Sequence, residues 1–191
     1  MIHTIVLAAG ASTRMGGEGP KALLKLEDGR TFLAAIAQAA RDAGSANVTA
    51  IVGPPHGDAV RRALPPGVGA LVNPRPERGM LSSVQTALSS LPRGVTALLV
   101  WPVDMPLVKA ATVRAILAAA PGKTIVPTFK DKGGHPVRIP QRRFAELSAL
   151  AADATLKDLI DASPADVVRL PVDDPGVTID FDTPEDLKKK R

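Results

Sequence analysis

The 191-residue chain contains no cysteine and no tyrosine, and only one tryptophan and four phenylalanines. Without thiols it forms no disulfide, no thiolate metal site and no cysteine nucleophile. With so few rings it lacks the stacking platforms that single-stranded nucleic acid requires, and its core must come from Ala, Val, Leu and Ile. Histidine is also sparse, at three residues. No HxH or HExxH spacing occurs, which argues against a histidine-held zinc ion. The formal charge of +5 is concentrated at one end, because Lys188, Lys189, Lys190 and Arg191 are all basic. Such a run reads as a solvated terminus rather than a nucleic-acid footprint. There is no basic leader and no long apolar run, so the expectation is a cytoplasmic protein with neither nucleic acid nor a membrane as partner.

What is present describes an ordinary globular chain, 45% apolar and 23% charged, long enough to bury a substantial core. Short β-branched runs alternate with Ala- and Leu-rich stretches. Strands are expected over Ile2–Leu7, Val48–Val52, Ala70–Val72, Ala97–Val100, Thr124–Pro127 and Val167–Leu170. Helices are expected over Thr31–Ala43, Gly57–Ala63, Ser82–Leu91, Lys109–Ala119 and Thr155–Ala162. This alternation predicts one α/β domain, residues 1–187 followed by the basic tail 188–191, built on a mostly parallel sheet with helices on both faces.

In such a sheet, ligands gather beyond the carboxyl ends of the strands. The first strand runs into LAAGASTRMGGEGPK, Leu7 to Lys21. Small residues there let backbone N–H groups approach phosphate oxygens, and Arg14 and Lys21 can neutralise their charge. The spacing fits neither the dinucleotide G-x-G-x-x-G nor the Walker loop, since Gly10 is followed by Ala11 and Ser12 and five residues separate it from Gly16. The bland alternative is a surface turn with solvated charges. After the Ala97–Val100 strand comes Asp104, between Pro102 and Pro106; it is either a turn-forming Asp or a Mg²⁺ ligand. Asp180 and Asp182, two apart on an extended segment, share a side and either could join Asp104. The run from Asp182 to Asp186 also reads as a helix start, with an Asp or Thr cap and acidic residues at the positive end of the dipole. Gly79 and Ser83 sit where a loop opens a helix and suit a ribose or base, although Ser82 or Ser83 would equally serve as a cap. His135, after Gly133 and Gly134, is a base, a hydrogen-bonding group or a surface histidine.

Taken in order, LAAGASTRMG, NPRPERGMLSSVQTAL, ALLVWPVDMPLV, GGHPVRIP and IDFDTPEDL resemble the blocks of the molybdenum-cofactor cytidylyltransferases. These are nucleotidyltransferases of glycosyltransferase-A-like fold, so the resemblance implies a Rossmann-like architecture of the nucleotide-diphospho-sugar transferase type. It implies transfer of a nucleotidyl group from an NTP to a phosphate-bearing acceptor, with Mg²⁺ as cofactor and pyrophosphate as the leaving group. By family position Leu7, Ala8, Ala9 and Gly10 face the base, Arg14 and Lys21 the phosphates, and Gly79 and Ser83 the ribose or base. Asp104 with Asp180 or Asp182 would hold the metal, and Gly134 and His135 would lie toward the acceptor. Ala9, where guanylyl-transferring relatives carry glycine, points to CTP. Molybdopterin is the acceptor the resemblance implies, with a molybdoenzyme or its chaperone as a protein partner. The alternatives are a sugar- or polyol-phosphate nucleotidyltransferase and a non-catalytic cofactor-binding chaperone. Gly17 to Pro20 lengthen the loop relative to the family, which makes Lys25 a second candidate for the cation at Lys21.

Overall fold

The computed structural model describes residues 1–12 and 19–189. Eight strands form one sheet: β1 (Ile2–Leu7), β2 (Asn47–Val52), β3 (Val68–Val72), β4 (Ala97–Pro102), β5 (Thr124–Phe129), β6 (Lys132–Gly133), β7 (Val137–Pro140) and β8 (Val167–Pro171). The order is β3-β2-β1-β4-β7-β5, with β6 and β8 both paired to β5. Strands β1 to β4 pair in parallel, as do β5 and β8. Strand β7 runs antiparallel between β4 and β5. The helices are α1 (Phe32–Asp42), α2 (Gly57–Arg62), α3 (Met80–Leu88), α4 (Ala110–Ala118), α5 (Phe144–Ala149), α6 (Leu156–Ala162) and α7 (Pro184–Lys189). No helix among the described residues is long and apolar enough to cross a membrane.

The sheet is buried on both faces because its strands are apolar at both parities. Val6, Ala50, Leu99, Trp101 and Ile125 face α1 and α4, which contribute Phe32, Leu33, Ile36, Val113 and Ile116. Ile5, Leu7, Ile51, Leu98, Val100 and Val126 face α3, α5 and α6, which contribute Leu81, Val84, Leu147 and Leu159. Each such Val, Leu, Ile or Phe side chain contributes about 1.5–3 kcal/mol when withdrawn from water. Helix starts follow ordinary capping chemistry. Thr31 Oγ1 accepts from Ala34 N at 3.2 Å, and Thr155 with Asp158 forms a capping box on α6.

Parts of this architecture differ from the sequence expectation, which also did not include α5 and gave α7 only as a helix start. Strands β6 and β7 were not expected, because β6 is only the polar pair Lys132–Gly133 and Arg138 and Pro140 break the apolar pattern of β7. Arg138 is nevertheless buried, and its guanidinium donates to Leu117 O at 2.8 Å and Ala120 O at 2.6 Å, closing the end of α4. Helix α3 begins at Met80, two residues before the expected start. Ser82 therefore caps nothing: its hydroxyl lies 2.7 Å from Gly79 O, within the first turn.

Candidate active site

Strands β1 and β4 are neighbours in the sheet, so the segments leaving them emerge side by side. Leu7 O accepts from Val103 N at 3.2 Å, which carries the pairing one residue beyond β4. The chain after β1 crosses the sheet edge as Ala8–Ser12, and Ser12 takes a positive φ of 52°. Its hydroxyl accepts from Lys21 N at 3.1 Å. This bond ties Lys21, at the head of a 3-10 turn, to Ser12 at the carboxyl edge of the sheet. Lys25 is exposed and pairs instead with Thr31. The loop insertion thus leaves Lys21, not Lys25, facing the cleft.

The cleft has a volume of about 350 Å³. One wall is Leu7 to Ser12. The opposite wall comes from Pro76, Gly79, Met80 and Ser83, and the closed end from Lys21, Pro102, Val103, Asp104 and Asp182. Asn73, directly after β3, organises the second wall. It is 2% exposed, and its Nδ2 donates to Ser82 Oγ at 2.8 Å and Ser83 Oγ at 3.0 Å, while its Oδ1 accepts from Arg75 N at 2.9 Å. Gly79 follows with φ +87° and open space where a Cβ would stand. That backbone conformation is strained for any other residue, and it leaves the wall bare at this point.

Two carboxylates meet at the closed end. The Asp104 turn is held by Trp101 Nε1, which donates to Met105 O at 2.9 Å. Asp182 reaches the same place from the far end of the chain. Phe181 N donates to Asp104 O at 2.9 Å, and the Phe181 ring packs on Phe32 of α1 at 5.0 Å between centroids. Farther back, the buried Asp174 carboxylate accepts from Lys109 N at 2.9 Å, Thr112 Oγ1 at 2.7 Å and Gly176 N at 3.0 Å. It therefore caps α4 from a distant segment and ties residues 174–182 to the element that follows Asp104. Lys21 Nζ stands between the carboxylates, 3.1 Å from Asp104 Oδ2 and hydrogen-bonded to Asp182 Oδ1. Burial works to lower the Lys21 pKa, but the Asp182 hydrogen bond and the charge and hydrogen bond of Asp104 outweigh it and hold the ammonium above its ordinary value.

The cap of α7 is Thr183, not Asp182. Asp186 Oδ2 accepts from Thr183 N at 3.0 Å and Asp182 N at 3.1 Å, and the Asp182 carboxylate turns to Lys21. Asp180 is exposed and is not part of the cleft lining among the described residues. The structure therefore brings together Leu7, Ala8, Ala9, Gly10, Lys21, Gly79, Ser83, Asp104 and Asp182. Arg14 lies outside the described residues. Gly134 and His135 are set apart from the cleft lining. A Cβ on Gly134 would stand 1.9 Å from Val177 O, so this glycine is required by backbone packing. Burial lowers the His135 pKa, opposed by a hydrogen bond with Val100 backbone and by the charge of Asp104. Asn73 and Ser12 were missed as organisers of the site. A polar residue directly after an apolar strand, as Asn73 is, was the available signal.

A point at which two carboxylates converge on one cation suits a hard divalent ion. Such an ion takes one or two protein carboxylates and completes its shell with phosphate oxygens and water. The donor set of Asp104 and Asp182 fits magnesium or manganese on that ground.

Known proteins resemble this chain in sequence and in fold. Residues 4–169 match the model of the MobA-like NTP transferase domain. A bifunctional protein GlmU from Bradyrhizobium sp. (strain ORS 278) is 38% identical over 119 residues, 61% of this chain and 26% of that protein. The chain thus spans about a quarter of the length of that relative. Among solved structures, Rv0371c from Mycobacterium tuberculosis H37Rv is 33% identical with a TM-score of 0.86, covering 98% of this chain and 95% of that one. A structure of Rv0371c in complex with manganese is 29% identical with a TM-score of 0.79, covering 98% and 96%.

Proposed function

The chain belongs to the MobA-like NTP transferase family, and from that premise we propose that it moves CMP from CTP to a phosphate-bearing acceptor of the molybdenum–molybdopterin kind, releasing pyrophosphate. The observation that carries this reading is the meeting of Lys21, Asp104 and Asp182 at one end of a cleft otherwise walled by backbone and small side chains. Phosphoryl chemistry of this type needs positioning and charge stabilisation more than a protein nucleophile. A chain without cysteine and with three histidines meets that demand.

In the proposed reaction, an oxygen of the acceptor's terminal phosphate attacks the α-phosphorus of CTP. The bond from that phosphorus to the bridging oxygen breaks, and pyrophosphate leaves with the electron pair. Backbone groups of Leu7, Ala8, Ala9 and Gly10 line the base side, and Lys21 with Arg14 neutralises the phosphates. Ser83 Oγ accepts from Asn73, which leaves its own proton to donate to a carbonyl or ring nitrogen of cytosine. Gly79 lets the ribose approach the backbone. Asp104 and Asp182 would hold Mg²⁺, which when bound neutralises charge developing on the transferred phosphate. His135 and Gly134 lie on the acceptor side in this reading, and a molybdoenzyme or its chaperone would receive the product.

The test is a matrix of the four NTPs against molybdopterin, sugar phosphates and polyol phosphates, read by pyrophosphate release with Mg²⁺ and again with Mn²⁺. Release with CTP and molybdopterin supports the proposal. Release with a sugar or polyol phosphate moves the chain to the alternative acceptor class. Binding of nucleotide and molybdopterin without release makes it a chaperone.

A further inference from the structure

The position where a metal ion would be held by Asp104 and Asp182 is taken in this structure by a side chain of the protein itself. Lys21 Nζ lies 3.1 Å from Asp104 Oδ2 and bonds Asp182 Oδ1 at the same time. Its side chain is only 14% exposed, so this is a seated ion pair rather than a surface contact. We propose that Lys21 is an internal stand-in for the metal: it keeps the two carboxylates together in the free protein and must be displaced before a divalent ion can enter. This inference rests on the nucleotidyltransferase reading for the identity of the displacing ligand, but not for the clasp itself.

The steric and electrostatic reasons are simple. A magnesium–oxygen bond is about 2.0–2.1 Å long. An ion bound to both carboxylates would therefore stand almost on the ammonium, and two cations at that separation repel strongly inside a half-buried site. Divalent metal alone gains little by entering, because it must expel a charge already well paired. A metal–nucleotide complex is different, since its phosphates give the displaced ammonium somewhere to go. The main chain of Lys21 need not move. Its N–H is anchored to Ser12 Oγ and Ala22 beside it is buried, while the four-carbon stem is long enough to swing Nζ from the carboxylates toward a triphosphate in the same cleft. The consequence is coupling: nucleotide and metal bind together tightly and separately poorly. This protects the site from capturing free metal.

Removing the ammonium takes away the cation that a divalent ion has to displace, so the ion reaches the Asp104 and Asp182 oxygens without that repulsion. The experiment is a titration of Mn²⁺ alone, followed by electron paramagnetic resonance of the free ion, on the full chain as wild type, Lys21→Met and Lys21→Arg. Lys21→Met is expected to bind Mn²⁺ at least tenfold more tightly than wild type. Lys21→Arg, which keeps the charge, should stay at the wild-type level. Adding CTP should raise Mn²⁺ affinity at least tenfold in wild type and much less in Lys21→Met. Equal Mn²⁺ affinity in wild type and a folded Lys21→Met overturns the proposal, as does equal coupling to CTP. If Lys21→Met loses its cooperative melting transition, Lys21→Gln repeats the measurement. Pyrophosphate release by the wild type is scored separately. A tightened Mn²⁺ site in a protein that never releases pyrophosphate keeps the clasp and removes the enzymatic reading. Release without tightening keeps the enzymatic reading and removes the clasp.

Discussion

The two sides of the cleft are made by opposite means. The wall of Leu7 to Ser12 is continuous chain, running straight off a buried strand, and offers backbone and small side chains. The closed end is assembled from residues far apart: Asp104 and Asp182 lie 83 and 161 positions from the lysine that joins them. The first wall owes its shape to local composition. The second owes its shape to the packing of β4, α4 and the 174–182 segment. The difference teaches that the first wall is set by backbone continuing its strand, whereas the closed end depends on side chains brought together from distant segments and can be taken apart from behind.

The largest effect should come from removing the carboxylate on β4's exit. Asp104→Asn is expected to lower turnover by at least about 10²-fold, because a neutral amide replaces metal-held charge poorly, while the melting temperature stays near wild type. Pyrophosphate assays at saturating Mg²⁺ alongside thermal melts check this, and a near-normal rate would remove Asp104 from the chemistry. Next in size is an attack from behind. Asp174→Ala leaves Lys109 N and Thr112 Oγ1 without their acceptor and uncaps α4, with a stability cost of about 1–3 kcal/mol. Denaturant unfolding measures it, and the metal dependence should weaken as the 174–182 segment loosens. Unchanged stability would mean that the closed end is held by other contacts.

The third prediction separates two neighbours. Asp182→Asn should raise the Mg²⁺ concentration needed for half-maximal rate severalfold, whereas Asp180→Asn should leave it unaltered, because Asp182 and not Asp180 lines the cleft. Equal effects would put both on the metal.

A fourth uses two histidines outside the cleft lining. His3 in β1 and His135 near Asp104 both have pKa values lowered from 6.5 by burial, with a hydrogen bond to Val100 backbone and the Asp104 charge opposing the shift at His135. The unfolded chain therefore binds protons that the folded chain refuses. Their contribution is complete above the ordinary histidine value and is lost as pH falls through and below it. Melting temperature should drop between pH 7 and pH 5, and His3→Gln should flatten part of that slope; an identical slope in His3→Gln would remove His3 from the account. The smallest effect belongs to the backbone wall. A Cβ on Gly53 would stand 3.2 Å from the Ala9 methyl and 2.8 Å from Asn73 O, so that methyl packs toward the opposite wall. Ala9→Gly should reduce a CTP-over-GTP preference only a fewfold, since discrimination by fit alone is limited to about 1–3 kcal/mol. Calorimetric titration of both nucleotides decides the matter, and a wild-type preference for GTP would reverse the base assignment.

How much of this was legible in the chain follows from how local each cause is. The parallel strands β1 to β4 and helix α1 could be read from apolar period and from Thr31, because those signals lie within a few residues of their effect. Strand β7 could not, since Arg138 looks like an interruption until the end of α4 is there to receive it. Lys21 could be nominated from its loop, but its choice over Lys25 depended on Ser12 anchoring the turn. The split among Asp180, Asp182 and Thr183 was open in sequence, because each is a credible cap or ligand. In the structure Asp186 reaches back to Thr183, and the Asp182 carboxylate bonds Lys21 in the cleft.

By itself the sequence determined an α/β sheet with small residues and cations after its first strand and an aspartate after its fourth, because strand periodicity and turn chemistry act over short distances. Only the tertiary structure decided that Asp104, Asp182 and Lys21 share one point. That depends on Phe181 seating against Phe32 and on Asp174 capping a helix more than sixty residues away, and such long-range packing leaves no periodic trace in the chain.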